Sequence, residues 1–104
     1  MRKLSKRLLD GLGLTEAQAA VYLALLELGE ANMQAIARKS GVKRTSIYAF
    51  IDALKERGFI TETMQRKRRV YSAVDPRQLL EAERGRVAEL ERTIPELLAI
   101  NNRA

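Results

Sequence analysis

The stretch "MQAIARKSGVKRTSI", Met33 to Ile47, decides how the chain is read. Ala37 is small where two helices must approach closely. Gly41, four residues on, stands where a tight turn needs positive φ. Ile47, ten residues after Ala37, is apolar where a second helix must be pinned to a core. Asn32 is a good N-cap for a helix over Met33–Ser40. The next helix is expected from about Lys43 to near Arg57, with Gly58 after it. An all-helical hairpin has the same spacing, so the flanks must choose between the two.

Upstream, Thr15 and Gln18 have capping-box spacing, opening a helix that runs to about Leu28 and stops at Gly29. Ala20, Val21, Tyr22, Leu23, Leu25 and Leu26 make it apolar almost all round, so it is expected to be the central buried helix. Leu4, Leu8 and Leu9 among cations suggest a short amphipathic helix before it, ending near Gly11. Downstream the pattern changes. "FITETM" (Phe59 to Met64) and "RVYSAV" (Arg69 to Val74) are rich in β-branched and aromatic residues. The intervening "QRKR" makes a hairpin with a cationic tip. It has no Gly, Asn or Asp, which tight hairpin turns prefer, so a longer, mobile loop is expected. Asp75 then caps a last helix with Pro76 at its first position.

Helix, helix–turn–helix and basic hairpin is the order of a winged helix-turn-helix. The expected fold is mainly α with a small β-hairpin, followed by a C-terminal helix. Residues 1–75 are expected to form the winged helix-turn-helix DNA-binding domain with its N-terminal helix, and residues 76–104 a dimerisation element.

Composition narrows the function. The 104 residues contain no cysteine and no histidine, which removes disulfides, thiol nucleophiles, imidazole bases and nearly every zinc arrangement. No carboxylate pair stands out from helix-surface acids. No enzyme activity, metal or cofactor is expected. The longest apolar run, Ala19 to Leu26, is too short to span a bilayer, and the basic N-terminus lacks a signal peptide's apolar run. A cytoplasmic, nucleoid-associated protein with no membrane partner is expected. The net charge of +6 lies wholly in residues 1–75, which hold 14 Lys/Arg and 8 Asp/Glu; residues 76–104 hold 5 of each. From Arg38 to Arg69 there are 10 basic residues against 3 acidic. Such a surface is either plain solvated charge or the footprint of a polyanion, nucleic acid before membrane.

A helical wheel at 100° per residue sorts the helix from Lys43. Ile47, Phe50, Ile51 and Leu54 form the core face. Thr45, Tyr48, Ala49 and Asp52 lie outside it, and Lys43, Arg44 and Ser46 occupy the first turn. Short polar residues at a helix N-terminus suit entry into a major groove. Arg44 is the candidate for guanine O6 and N7, because its fork bonds both acceptors. Thr45 and Ser46 are candidates for bases or phosphates. Tyr48 is a candidate for phosphate or for packing against the wing. Arg66, Lys67, Arg68 and Arg69 are expected on backbone or minor groove, one of them as a bystander, and Gln34 and Arg38 on the phosphate backbone. Lys3, Lys6 and Arg7 read equally well as solubilising charge.

The segment "LGLTEAQAAVYLALLELGEANMQAIARKSGVKRTSIYAFIDALKERGFI", followed by "RRVYSAVDP", resembles the DNA-binding domain of the TrmB-like transcription regulators, and more distantly the MarR type. The resemblance covers about residues 8–80. It implies a winged-helix fold, dimeric DNA binding and transcriptional control, and it puts Lys43, Arg44, Thr45 and Tyr48 on the family's recognition-helix motif. Lys43 stands where members often have proline, and the tip lacks their Gly-Arg-Pro-like turn. Larger relatives continue into a sugar-sensing effector domain, for which these residues offer no counterpart, so sugar sensing is not part of the expectation and the effector is left open.

Along the last helix, Leu80, Glu83, Val87, Leu90, Ile94, Leu97 and Asn101 recur at alternating three- and four-residue spacing. Val87 and Ile94 at one heptad position with Leu90 and Leu97 at the other favour two strands. A homodimer through Leu80, Val87, Leu90, Ile94 and Leu97 is expected, against the alternative that this face packs on its own domain. Pro95 is expected to kink or restart the helix, with Thr93 and Glu96 as a second capping box. The reading is a homodimeric regulator that binds double-stranded DNA sequence-specifically. Two alternatives stand beside it: an architectural, chromatin-like DNA-binding protein and a winged helix used for protein–protein assembly.

Overall fold

The computed structural model describes residues 11–102. The expected N-terminal helix over Leu4, Leu8 and Leu9, and the cations Lys3, Lys6 and Arg7, lie outside them. The elements in chain order are α1 (Glu16–Leu28), β1 (Glu30–Ala31), α2 (Met33–Ser40), α3 (Arg44–Glu56), β2 (Ile60–Gln65), β3 (Arg68–Ala73) and α4 (Pro76–Asn102). The chain divides between Val74 and Asp75 into two compact units.

Local chemistry starts the helices where the sequence places them. The Gln18 amide donates to Thr15 Oγ1 at 3.1 Å and the Thr15 amide to Gln18 Oε1 at 2.9 Å, so the capping box opens α1. The Ala35 amide donates to Asn32 Oδ1 at 2.9 Å at the start of α2. Gly41 closes α2 in the left-handed region, φ 76°, its amide donating to the Ala37 carbonyl at 3.0 Å. A side chain there would be strained, which is why the turn carries glycine.

The core of the first unit lies among α1, α2, α3 and the sheet. Val21, Leu25, Ile36, Ile47 and Leu54 are fully buried, with Tyr22, Phe59, Ile60 and Tyr71 nearly so. Tyr22 and Phe59 meet edge to face, ring centroids 5.8 Å apart. The Tyr22 hydroxyl donates to the Val74 carbonyl at 2.8 Å, satisfying the polar end of a buried ring. The Arg57 guanidinium lies 5.0 Å from the Phe59 ring centroid and donates to the carbonyls of Leu12 and Gly13.

Three expectations change here. α1 is not apolar-buried all round: Leu26 and Leu28 are exposed, because its buried stripe is Ala19, Val21, Tyr22, Ala24 and Leu25. Phe50 is half-buried rather than core; Ile47, Ile51 and Leu54 carry the buried face of α3. The wing is a three-stranded antiparallel sheet of order β1-β3-β2, not a bare hairpin. Its extra strand, β1, pairs Glu30 with Ser72 and Ala31 with Tyr71. Two residues between a helix stop and an N-cap carry no periodicity, so β1 leaves no mark in the sequence.

In the second unit, Asp75 caps α4. Its Oδ1 accepts from the Arg77 amide at 2.8 Å, and its Oδ2 lies 2.7 Å from Arg77 Nη2. The Arg77 side chain, and then its amide, hold the Asp75 carboxyl down at about 2. α4 is assigned as one unbroken helix of 27 residues with Pro95 inside it, so the expected restart at Thr93 does not occur. The Thr93 hydroxyl instead donates back to the Glu89 carbonyl at 2.7 Å, as helix-interior threonines do. Glu–Arg pairs at i,i+3, Glu81–Arg84, Glu83–Arg86 and Glu89–Arg92, line its polar surface.

Candidate nucleic-acid interface

The α2 helix, the Gly41 turn and α3 present one polar edge. Gln34 and Arg38 on α2 are exposed, as are Lys43, Arg44, Thr45, Ser46 and Tyr48 at the start of α3. Ile47, Ile51 and Leu54 recur on the other face of α3 and fix which way these residues point. Helix α3 begins one residue later than expected, with Lys43 in extended conformation as the N-cap and no side-chain cap. Lysine has no acceptor to offer a backbone amide. The first-turn amides of Arg44, Thr45 and Ser46 therefore have no side-chain cap, at the end of the helix dipole that favours anions.

The wing tip differs from expectation. Arg68 pairs with Gln65, leaving Arg66 and Lys67 as a two-residue turn. Their φ values are 50° and 67°, so both central residues sit where a type I′ turn requires and where Asn and Gly are at ease. The turn is tight because the strands continue to the last possible pair. Gln65 Nε2 lies 3.0 Å from both carboxylate oxygens of Glu30, tying the tip end of β2 to β1. Paired residues share a face, so Arg69 lies on the face of Glu62, Met64 and Tyr71, and Arg68 on the face of Gln65.

Ion pairing sorts the cations between Arg38 and Arg69. Lys39 pairs with Glu27 at 2.9 Å. Lys55 Nζ lies 3.0 Å from Asp52 Oδ1 and 2.6 Å from Glu62 Oε1, and these hydrogen bonds, Glu62 first, raise its pKa. Arg57 is held by backbone carbonyls and the Phe59 ring. Arg69 Nε approaches Glu62 Oε2 only to 3.6 Å. Arg38, Lys43, Arg44, Arg66, Lys67 and Arg68 enter none of the ion pairs among the described residues. The cations spent on internal contacts are those not singled out as DNA contacts from the sequence; Arg69 stands between the two groups.

On α4, Leu80, Val87, Leu90, Ile94 and Leu97 are all exposed, as are Leu98 and Ile100 beside them. Among the described residues there is no cluster of metal-ligating side chains and no helix long and apolar enough to cross a membrane.

A three-helix core whose second and third helices are joined by a glycine turn, backed by a three-stranded wing, defines a winged helix-turn-helix domain. Helix α4 follows it. The family model described as "Sugar-specific transcriptional regulator TrmB" matches residues 8–77. The chain belongs to the TrmB family of transcriptional regulators. It is 32% identical over 85 residues to the HTH-type sugar sensing transcriptional regulator TrmBL1 of Pyrococcus furiosus, covering 81% of this chain and 25% of that protein. Among solved structures it is similar to TrmBL2, an archaeal chromatin protein, with a TM-score of 0.76 and 21% identity over 99% of this chain and 38% of that one. The repressor CouR, bound to a 23-mer DNA duplex, aligns with a TM-score of 0.60 and 28% identity, covering 95% of this chain and 73% of that one. The chain thus spans about a quarter of the length of the curated relative it matches.

Proposed function

We propose that the chain is a sequence-specific double-stranded DNA-binding transcription regulator acting as a homodimer. Each protomer inserts the N-terminal turn of α3 into a major groove and lays the wing along backbone or minor groove. Arg44 reads guanine; Thr45, Ser46 and Tyr48 contact neighbouring bases or phosphates; Lys43, Gln34 and Arg38 hold backbone; Arg66, Lys67 and Arg68 extend the contact, with Arg69 at its margin. The observation that carries this reading is the sorting of charge. The cations free of internal ion pairs sit on α2, on the first residues of α3 and at the wing tip, the parts such a domain offers to DNA. CouR, similar in fold, is bound to a duplex. The exposed heptad seam Leu80, Val87, Leu90, Ile94 and Leu97 supports a homodimer through α4. Two-fold symmetry then calls for half-sites about 10–10.5 bp apart, or a multiple of that. Binding places the protein with the nucleoid, in the cytoplasm.

Titration of a fluorescent duplex at increasing salt tests the charge assignment. With roughly 6–10 phosphate contacts per dimer, affinity falls about 10³–10⁵-fold between 50 and 200 mM salt. A flat response, or no duplex binding at low salt, overturns it and favours a protein–protein module. A second reading has its own support: TrmBL2, similar over nearly the whole chain, is a chromatin protein. On that reading a selected site and a random duplex compete equally.

A further inference from the structure

Glu62 is a carboxylate set between two cations, Lys55 of α3 and Arg69 of β3, with Asp52 as the other acid at Lys55. It lies on β2, and its side chain is 21% exposed. An acid within a Debye length of a DNA-facing surface repels phosphate, so its presence there opposes binding unless it supplies something else. Its two oxygens are divided. Oε1 lies 2.6 Å from Lys55 Nζ in the last turn of α3, and Oε2 lies 3.6 Å from Arg69 Nε on β3. Lys55 is itself steadied by Asp52 Oδ1 at 3.0 Å. Helix α3 and strand β2 are also joined by the short connection through Gly58, at φ 83°, and by the buried Phe59 and Ile60 that follow it. At that connection the Gly58 amide donates to the Lys55 carbonyl and the Phe59 amide to the Leu54 carbonyl. Glu62 lies further along β2, where a second attachment fixes an angle rather than a point.

We propose that Glu62 is a positioning residue for DNA reading: with Lys55 it forms a strut that sets the wing's angle to α3, so that helix and wing contacts are made together. This rests on the DNA-reading assignment above. The strut touches no base; it makes Arg44 and the wing cations act as one unit. Its loss leaves each contact available but not simultaneous in the native geometry.

Charge and strut are separable because the two ends of the pair carry opposite signs. Glu62→Gln adds one positive charge per protomer, and Lys55→Met removes one. The whole 104-residue chain, wild type and each variant, is titrated with a duplex chosen by selection from a random library and with unselected random duplex, at fixed salt, with thermal melts beside it. The strut predicts that both variants lose about three- to tenfold in the ratio of selected to random affinity, although random-duplex affinity rises in Glu62→Gln and falls in Lys55→Met. It also predicts that the coupling between Arg44→Ala and Arg68→Ala, measured by a double-mutant cycle in wild type, vanishes in Glu62→Gln. Unchanged ratios, with the two affinities moving in parallel and in opposite directions for the two variants, overturn the proposal and leave Glu62 as simple charge. If one variant fails to fold, the other decides alone. Should wild type itself show no preference for the selected duplex, the DNA-reading assignment fails first, and the strut with it.

Discussion

At Arg66 and Lys67 the backbone adopts a conformation that costs a non-glycine residue about 1–3 kcal/mol. The strands pair to their last residues and leave only these two to turn the chain, so cations occupy positions that Asn and Gly would fill without strain. Replacing Lys67 by glycine relieves the strain and removes one charge. We expect Lys67→Gly to stabilise the fold by about 1 kcal/mol, a rise of several degrees in melting temperature. The same variant is expected to lower the salt slope of DNA binding by about one contact per protomer. Calorimetry and a salt titration of the same protein check both; a lower melting temperature with an unchanged slope contradicts both. The absence of Gly or Asn at this tip is also why the sequence pointed to a loose loop. Turn preference is a local energy, and here strand pairing outweighs it.

At the scale of elements, what was legible in the sequence depended on where the determining contacts lie. Thr15, Gln18, Asn32, Gly41 and Asp75 act within a turn of their own positions, and each starts or stops the helix assigned to it. The face of α3 followed from periodicity, and the structure buries Ile47, Ile51 and Leu54 as expected, with Phe50 only partly covered. Strand β1 depends on Tyr71 and Ser72, some forty residues away, and left no local signal. Which cations are internal was likewise invisible: Lys55 and Arg57 look no different from Arg44 until Glu62 and the Leu12 carbonyl are brought to them. Helix α4 shows a related limit. Pro95 pointed to a kink or a restart; α4 is continuous through it, so no restart occurs and the seam from Leu80 to Leu97 stays on one helix, spanning about 26 Å. If that seam holds two protomers together, Leu90→Asp places a charge at its middle and yields a monomer by analytical ultracentrifugation, with a weakened complex on a two-half-site duplex. A Leu90→Asp protein that remains dimeric removes α4 from the interface.

For the whole molecule, the division between structural and available charge is the central feature. A net charge of +6 is compatible with any soluble basic protein. What points to DNA is that Lys39, Lys55 and Arg57 are engaged within the fold, whereas Arg38, Lys43, Arg44 and the tip cations face outward from the helix-turn-helix and wing. Family membership and the duplex-bound CouR fold agree with this, and the alternative reading proposed above, a chromatin-type role with little sequence preference, is its rival. Phosphate contacts alone serve the rival equally well, so the decision falls to a residue placed to read a base edge. The most direct test is competition between a selected duplex and random duplex for wild type and Arg44→Ala at one salt concentration. Loss of one bidentate guanine contact per half-site corresponds to about 1–3 kcal/mol each. Specific DNA reading predicts that Arg44→Ala loses at least about tenfold in affinity for the selected duplex and much less for the random one. Equal losses on both duplexes, or no preference in the wild type, would contradict it.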